Sequence, residues 1–211
     1  MSSWVNVHVS DHSFGVFDRY EIPIETADWA TGLVVEMSSG AMIYTGIDRG
    51  SVRVTTDVRS TAPEQIDPGP WDDIVEASVH SPHGELRIHS LEYGPLDPPP
   101  PLPLLSPHGP GSYRLRAHVR GRDLRYDAVQ NDPIEDYLLT IWPADPAPHL
   151  IIRATDRCGY GLRLANLTTP KGPAPSPTPE QLAERQQPAP RTQAILGLAR
   201  NRRANPSPEA P

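Results

Sequence analysis

The sequence predicts an all-β body, an antiparallel β-sandwich of about eight to nine strands. Within residues 111–120 (GSYRLRAHVR), positions 113–120 alternate strictly between apolar and basic side chains, which is typical of a β-strand with one buried face and one solvated face. Similar short apolar runs recur along the chain between turns rich in Gly, Pro and Asp. No window before residue 178 sustains a helical period. Together these observations favour a sandwich over a helical fold.

The strand candidates follow one another at short spacing. Ser38-Ser39-Gly40 separates two apolar runs and predicts a hairpin turn, and Ser81-Pro82-His83-Gly84 predicts a second turn. The strand-like runs are residues 4–9, 13–17, 32–37, 41–47, 51–59, 71–79, 84–91, 111–120, 136–142 and 149–155.

Proline separates a folded body from two proline-rich segments. Residues 95–110 hold 8 of the 27 prolines and residues 169–211 hold 10. Because proline lacks the N–H that a sheet interior needs, we interpret 95–110 as a long loop in polyproline II conformation; a ligand for a proline-binding domain is the alternative. The C-terminal segment is predicted to be a largely disordered basic tail with short helices at 178–181 and 192–200. This places the β-sandwich domain at 1–168 and the tail at 169–211.

Charge is spread unevenly along the chain. The formal net charge is −7, of which residues 1–168 carry −10 and the tail carries +3. Within the body, residues 1–110 carry −11 and residues 111–168 carry +1. An acidic body repels nucleic acid and anionic membranes and suits a basic protein partner. We therefore expect no direct nucleic-acid binding and no membrane association.

Cysteine content and the N-terminal residues bear on the cellular compartment. Cys158 is the single cysteine, so no disulfide can form within one chain. The N-terminal residues lack the basic and apolar regions of a signal peptide. No apolar run approaches the roughly 20 residues needed to span a bilayer. The expected location is the cytoplasm, and the oligomeric state stays open.

Signatures of catalysis are missing from the sequence. There is no Gly-x-Ser-x-Gly elbow, no Gly-x-Gly-x-x-Gly after a strand and no P-loop. His80 and His83 flank a turn, with Glu85 and His89 on the next strand. These are metal-ligand types, but no cysteine joins them and we interpret the turn histidines as solvent-exposed. Cys158 is interpreted as inert. We therefore expect no enzymatic activity, no catalytic residue, no cofactor and no metal.

A row of arginines occupies one face of the alternating strand. Arg114, Arg116 and Arg120 have the fork geometry that binds phosphate or carboxylate groups. The favoured interpretation is cross-strand pairing with the body's own acids, with Glu135 and Asp136 beside the row. Whether the row also binds a ligand stays open.

Acidic residues flank two tryptophans in the N-terminal half of the chain. Acids beside an aromatic side chain are suited to an interface with a basic protein, and a solvated loop with core tryptophans is the alternative. The predicted partner-binding residues are Asp28, Trp29, Glu64, Asp67, Trp71, Asp72, Asp73 and Glu76.

Several short segments occur in a fixed order between residues 5 and 155. They are HSFGVFD at 12–18, DW at 28–29, GAMI at 40–43, GSYR at 111–114 and DY at 136–137 leading to WPA at 142–144. In this order they resemble the ComJ-like (competence protein J) family of small nuclease inhibitors. The resemblance implies an all-β domain that binds and inhibits a partner nuclease and has no catalytic residue. Family members are shorter, so the proline-rich loop and the tail depart from the family pattern.

The function expected from the sequence is a non-enzymatic protein-binding domain. It would be an inhibitor or immunity-type partner of a basic enzyme such as a nuclease, whose phosphate-binding cleft the acidic face would occupy. The alternative is an adaptor that recruits partners through the proline-rich loop and the tail. Deletion of residues 169–211 distinguishes the two, since only the adaptor would lose its partners.

Overall fold

Strands dominate the computed structural model, which describes residues 3–19, 21–66, 69–92 and 102–168. The prediction of a mainly β body is confirmed, and every run predicted to be a strand contains one. The strands are β1 (Val5–Val9), β2 (Ser13–Asp18), β3 (Val34–Glu36), β4 (Ala41–Tyr44), β5 (Arg49–Val58), β6 (Asp73–Ser81), β7 (Leu86–Ser90), β8 (Gly111–Arg120), β9 (Val129–Gln130), β10 (Asp136–Pro143) and β11 (Leu150–Ala154). A 3₁₀ turn covers Ile24–Thr26, and one α-helix, α1, covers Arg157–Thr168.

The strands form two sheets. The larger has the order β1-β5-β10-β8-β6-β11 with the short β9 beside β5, and the smaller has the order β3-β4-β2-β7. Most neighbours are antiparallel, but β10 and β9 both run parallel to β5. The prediction of a purely antiparallel body is wrong at these pairs. Long stretches of chain separate β5 from β9 and from β10, so these strands are not joined by hairpins. Connections of this length allow two strands to pair in the parallel direction.

One hydrophobic cluster joins the two sheets. Leu115 and Ile141 contribute from the larger sheet, Phe14 and Ile43 contribute from the smaller, and all four are fully buried. The Phe14 and Tyr137 rings meet edge to face, with centroids 5.3 Å apart. Burying a side chain of this size contributes about 1.5–3 kcal/mol. This cluster is therefore the main source of stability.

β8 coincides with the predicted alternating strand, but its second face is not solvated. Arg114, Arg116 and His118 are all buried. The ring of Trp71 lies 5.5 Å from that of His118, and the Arg116 guanidinium lies 5.2 Å from the Trp142 ring. The prediction of a solvated face is wrong from Arg114 to His118, because Trp71 and Trp142 pack over it. Alternation identifies a strand, and it does not show what lies over each face.

Both predicted turns are present, with different roles. Gly40 has a φ of 67° between β3 and β4, which are antiparallel neighbours, so the hairpin is confirmed. The Ser81–Gly84 turn instead carries the chain from the larger sheet to the smaller. The Asp18 carboxylate fixes it, since Oδ2 accepts hydrogen bonds from Ser81 Oγ (3.1 Å) and the His83 N–H (2.6 Å).

The described part of the proline-rich loop, residues 102–110, is attached to the core. Leu105 is fully buried, and its N–H donates to the Leu86 carbonyl oxygen at 2.9 Å. The Ser106 hydroxyl accepts the Leu86 N–H at 2.9 Å. Residues 93–101 and the tail 169–211 lie outside the described residues. The predictions of polyproline II structure, tail disorder and short tail helices therefore stay predictions.

α1 follows β11 at a place where no helix was predicted, so that prediction is wrong. Asp156 caps the helix, since its Oδ1 accepts the Gly159 N–H at 2.7 Å. Asp123, from the loop after β8, accepts the N–H groups of Arg157 and Cys158 at 2.9 and 3.0 Å. Two carboxylates thus satisfy free N–H groups at the positive end of the helix dipole. No helix in the described part of the chain is long and apolar enough to cross a membrane.

Candidate functional site

Asp73, predicted to lie on an exposed acidic surface, is fully buried. Its Oδ1 accepts the N–H groups of Thr155 and Asp156 at 2.6 and 3.0 Å. Its Oδ2 accepts hydrogen bonds from Arg122 and Arg163, each at 3.2 Å. A carboxylate enclosed in this way offers nothing to a partner. The exposed position predicted for Asp73 is therefore wrong.

Glu76 is buried as well, on the opposite face of β6. Oε1 accepts hydrogen bonds from Nε and Nη2 of Arg114, both at 3.1 Å. Oε2 accepts hydrogen bonds from Nε and Nη2 of Arg116, at 3.1 and 3.0 Å. These three residues are named the Glu76 cluster. They correct the exposed position predicted for Glu76 and confirm that the arginine row pairs with acids of the body itself.

Asp136 pairs with Arg120, at the other end of the arginine row. Arg53 donates to its Oδ1 and Oδ2 at 2.6 and 2.9 Å, and Arg120 donates to Oδ2 through Nε and Nη2 at 2.8 and 2.6 Å. The guanidinium carbons of Arg53 and Arg120 lie 5.7 and 5.6 Å from the ring centroids of Trp4 and Trp71. The predicted pairing of the arginine row with neighbouring acids is thus confirmed for Asp136, whereas Glu135 accepts hydrogen bonds from the N–H groups of Gly46 and Ile47 instead.

Trp71 and Asp72 directly precede β6, and both contact other parts of the body. Trp71 is buried against His118 on the outer face of the larger sheet. Asp72 is partly exposed, and its Oδ2 accepts the N–H of Gly121 at 2.8 Å. Trp71 is thus a buried part of the sheet, whereas Asp72 still reaches the surface.

The remaining predicted residues are spread along the chain. Asp28 is partly exposed and accepts the Ala30 N–H at 3.0 Å, and Trp29 packs against a small buried cluster on the smaller sheet. Glu64 is exposed, and Asp67 lies outside the described residues. Partner binding through Asp28, Glu64 and Asp72 stays a prediction.

Arg122 is fully buried at the junction of β6, the loop after β8 and α1. It donates to both oxygens of Asp156, at 2.7 and 3.0 Å, and to Asp73 at 3.2 Å. It also donates to the carbonyl oxygens of Gly32 and Tyr44, at 2.8 and 3.3 Å. Together with Arg163 on α1, which also contacts Asp73, these charged residues are named the Arg122 cluster. The cluster fixes the first turns of α1 to the body.

A groove of about 600 Å³ lies between α1 and the loop after β8. Helix positions 158, 161, 162 and 165 line it, and their spacing places them on one face of α1. Tyr126 and Asp123 line it from the loop, and Arg157 lies at the start of the helix. The groove is therefore mainly apolar, with charged residues at one end.

Cys158 lines the groove, and burial raises the pKa of its thiol to about 12. Its Sγ lies 3.9 Å from the carbonyl oxygen of Thr45. A thiol with this pKa is protonated at neutral pH and is a poor nucleophile. This agrees with the interpretation of Cys158 as inert.

Large apolar side chains are exposed on α1 and on the loop after β8. Tyr126 is 57% exposed, and on α1 the residues Tyr160, Leu164 and Leu167 are 62%, 47% and 82% exposed. The three helix residues are spaced i, i+4 and i+7 and so share one face, which is turned away from the face of positions 158, 161, 162 and 165 that lines the groove. We name the groove and these four residues the α1 surface.

The α1 surface was not predicted from the sequence, because no helix was predicted at residues 157–168. Gly159 and Gly161 lower the helix propensity of the segment and obscured its periodicity. Two signals were nevertheless present: Asp156 as an N-cap, and the spacing of Tyr160, Leu164 and Leu167.

Comparison with known proteins gives one weak structural match. No protein-family model and no curated protein matches the sequence. A solved structure described as "Crocagin biosynthetic gene J" is similar to this chain with a TM-score of 0.40 and 17% identity, over 69% of this chain and 98% of that chain. A similarity of this size carries no conclusion about function.

Proposed function

We propose that this chain is a β-sandwich protein-binding domain without enzymatic activity, an inhibitor or immunity-type partner of a basic enzyme such as a nuclease. The observation that carries the proposal is the α1 surface, where Tyr160, Leu164 and Leu167 are exposed on one face of α1 and Tyr126 is exposed at the groove of about 600 Å³ on another face. Exposed apolar patches on soluble domains mark interaction sites, and tyrosine is enriched among the residues that dominate binding energy.

The charge of the body supports a basic partner. Residues 1–168 carry a net charge of −10, which attracts a basic protein at long range and speeds its association. Two acids, the partly exposed Asp48 and the exposed Asp127, lie near Tyr126 through their contacts with His12. Charge thus steers the partner, and the apolar side chains of the α1 surface hold it. The choice of a nuclease rests on the resemblance to the ComJ-like family.

The docking surface differs from the one expected from the sequence alone. Asp73 and Glu76 are occupied by buried arginines, so they have no charge to offer to an enzyme's phosphate-binding cleft. Asp28, Glu64 and Asp72 keep some exposure and contribute to the general negative field. Their individual removal is therefore expected to slow association and to leave the complex otherwise intact.

Affinity capture from the native host with matched variants tests the proposal. The full chain is expected to retain a basic protein whose nuclease activity it inhibits stoichiometrically, and Leu164→Ser or Tyr160→Ser should abolish that retention. Ile24→Ser is the control, since Ile24 is also exposed (52%) but lies on the 3₁₀ turn. The Glu64→Gln variant should still retain the partner in the capture experiment.

Three results would overturn the proposal. If Glu64→Gln lost the partner and Leu164→Ser kept it, the interface would be formed by the acidic residues and not by the α1 surface. If deletion of residues 169–211 abolished retention of the partner and Leu164→Ser did not, the adaptor function would be favoured. A captured protein that is acidic, or whose activity the chain does not inhibit, would refute the inhibitor role.

A further inference from the structure

Three connections meet at one end of the larger sheet, and each supplies one potential metal ligand. His12 lies between β1 and β2, Asp48 between β4 and β5, and Asp127 between β8 and β9. His12 Nε2 lies 3.2 Å from Asp127 Oδ1 and 3.9 Å from Asp48 Oδ1. All three ligand atoms lie within 4.8 Å of one another. From this geometry we propose that His12, Asp48 and Asp127 bind one divalent transition-metal ion of the Zn²⁺ or Co²⁺ type.

The spacing of the three ligand atoms suits a shared ion. Imidazole nitrogens and carboxylate oxygens bind Zn²⁺ at about 2.0–2.2 Å, which places neighbouring ligand atoms roughly 3.0–3.6 Å apart in tetrahedral or octahedral geometry. The His12–Asp127 distance of 3.2 Å already falls in this range. Asp48 lies slightly farther away, and it is partly exposed and free to adjust its side chain.

The backbone holds the three residues together without an ion. The His12 N–H donates to the Asp48 carbonyl oxygen at 3.0 Å, and the Asp127 N–H donates to the Gly46 carbonyl oxygen at 2.9 Å. The His12 ring stacks on Tyr44, with centroids 5.3 Å apart and planes 11° apart. The direction of Nε2 is thus set before an ion binds. Such preorganisation lowers the entropic cost of binding.

The ligand set also predicts the character of the site. One neutral imidazole and two carboxylates carry a net charge of −2 and suit Zn²⁺, Co²⁺ and Mn²⁺. The side chain of Asp127 is 72% exposed, so one side of the site is open to water or to a ligand from another molecule. The buried His12 Nδ1 has no hydrogen-bond partner among the described residues. A histidine that binds a metal usually donates its other ring N–H to an acceptor, and absence of that hydrogen bond weakens metal binding about 10- to 100-fold. We therefore expect micromolar affinity.

Other histidine–carboxylate contacts provide controls. His149 Nδ1 lies 3.0 Å from Glu36 Oε1, and His8 Nε2 lies 3.1 Å from Glu92 Oε2. In the described part of the chain, only the His12 group has three ligand atoms within reach of one another. A single histidine–carboxylate pair binds these ions weakly, so removal of Glu36 should not affect the proposed site.

The ion would also connect the site to the groove. Tyr126 precedes Asp127 and lines the groove, and its ring lies 5.6 Å from that of His12. An ion bound to Asp127 would hold the loop that forms one wall of the groove. Amide exchange of residues 121–128 should therefore slow when the ion is added. This inference stands whether or not the proposed protein-binding function is correct.

Titration of the full chain with ZnCl₂ by calorimetry, and with CoCl₂ by visible absorption, tests the inference. One ion per chain is expected, with affinity lowered tenfold or more in Asp127→Asn, Asp48→Asn and His12→Asn. Asparagine is chosen because His12 and Asp127 have φ of 55° and 59°, a conformation that asparagine tolerates. Glu36→Gln should bind as the unchanged chain does.

Circular dichroism establishes that each variant is folded, and Asp127 is exposed enough that its replacement should not unfold the chain. Absence of one-to-one binding at micromolar concentration would overturn the inference. Equal affinity of Asp127→Asn and the unchanged chain, or a loss in Glu36→Gln as large as that in Asp127→Asn, would overturn it too.

Discussion

The Arg122 cluster and the Glu76 cluster both bury arginine–carboxylate contacts, but they are assembled in different ways. In the Glu76 cluster, β6 and β8 are neighbours and their register places Glu76 opposite Arg116. In the Arg122 cluster, Asp73, Arg122 and Asp156 come from parts of the chain that are 49 and 34 residues apart. The first cluster follows from one strand pairing, and the second requires most of the fold to be in place.

This difference has consequences for what each cluster stabilises. The ladder of backbone hydrogen bonds between β6 and β8 remains when a Glu76 contact is lost. Around Arg122 the charged side chains themselves connect α1 and the loop after β8 to the body. Breaking a buried ion pair by removing one partner leaves an uncompensated charge. We therefore expect the larger loss of stability at Arg122.

Arg122→Met should lower the free energy of unfolding by about 3–5 kcal/mol, because it leaves the Asp156 carboxylate buried without its arginine partner and removes one of the arginines that contact Asp73. Urea denaturation measures the loss. Arg125→Met is the matched control, since Arg125 is exposed, and it should change stability by less than about 0.5 kcal/mol. A loss below about 1 kcal/mol for Arg122→Met would mean that the cluster contributes little.

Glu76→Gln should cost less, about 1–3 kcal/mol, because the amide keeps one acceptor oxygen while the hydrogen bonds to two arginines lose their charged partner. The same urea experiment measures it, with the exposed Glu64→Gln as control. A loss greater than that of Arg122→Met would reverse the order of the two clusters.

Asp123→Asn should have the smallest effect, about 0.3–1 kcal/mol at neutral pH, since the variant keeps an acceptor and loses only the charge at the N-terminus of α1. Burial by itself would raise the pKa of Asp123. Hydrogen bonds from the N–H groups of Arg157 and Cys158 lower this pKa by more than burial raises it, so the net shift is downward. The carboxylate therefore stabilises the fold above the unfolded-state pKa of about 3.9, and this contribution is lost as the pH falls through the lower folded-state pKa.

The difference in unfolding free energy between the unchanged chain and Asp123→Asn should accordingly shrink below about pH 4. Urea denaturation at a series of pH values measures it. A difference that stays constant across the acid range would show that the charge of Asp123 has no part in capping α1.

Local features of the fold could be predicted from the sequence, and long-range ones could not. The alternation from Gly111 to Arg120 predicted β8, and Ser38-Ser39-Gly40 predicted a hairpin, since both depend on residues close in sequence. α1 was missed because Gly159 and Gly161 weaken its periodicity and distant Asp123 caps it. Similarly, nothing near β5 in sequence indicates that β10 is its parallel neighbour.

The acids near Trp71 illustrate why the candidate site could not be predicted. Asp73 and Glu76 lie three positions apart on a strand and therefore point to opposite faces of the sheet. One enters the Arg122 cluster and the other enters the Glu76 cluster. Proximity in sequence made them look like one charged surface. Their arginine partners lie 38 to 90 residues away, a distance at which local patterns carry no information.

The parallel pairing of β5 with β10 has a consequence during synthesis of the chain. Arg53 in β5 is opposite Asp136 in β10, 83 residues later. At about 5–20 residues per second, a ribosome makes β10 roughly 4 to 17 seconds after β5. During this interval one edge of β5 lacks its neighbour and can pair with other chains. The charged residues Arg49, Arg53 and Asp57, regularly spaced along β5, are the type of residue that discourages such pairing before the nascent chain is complete.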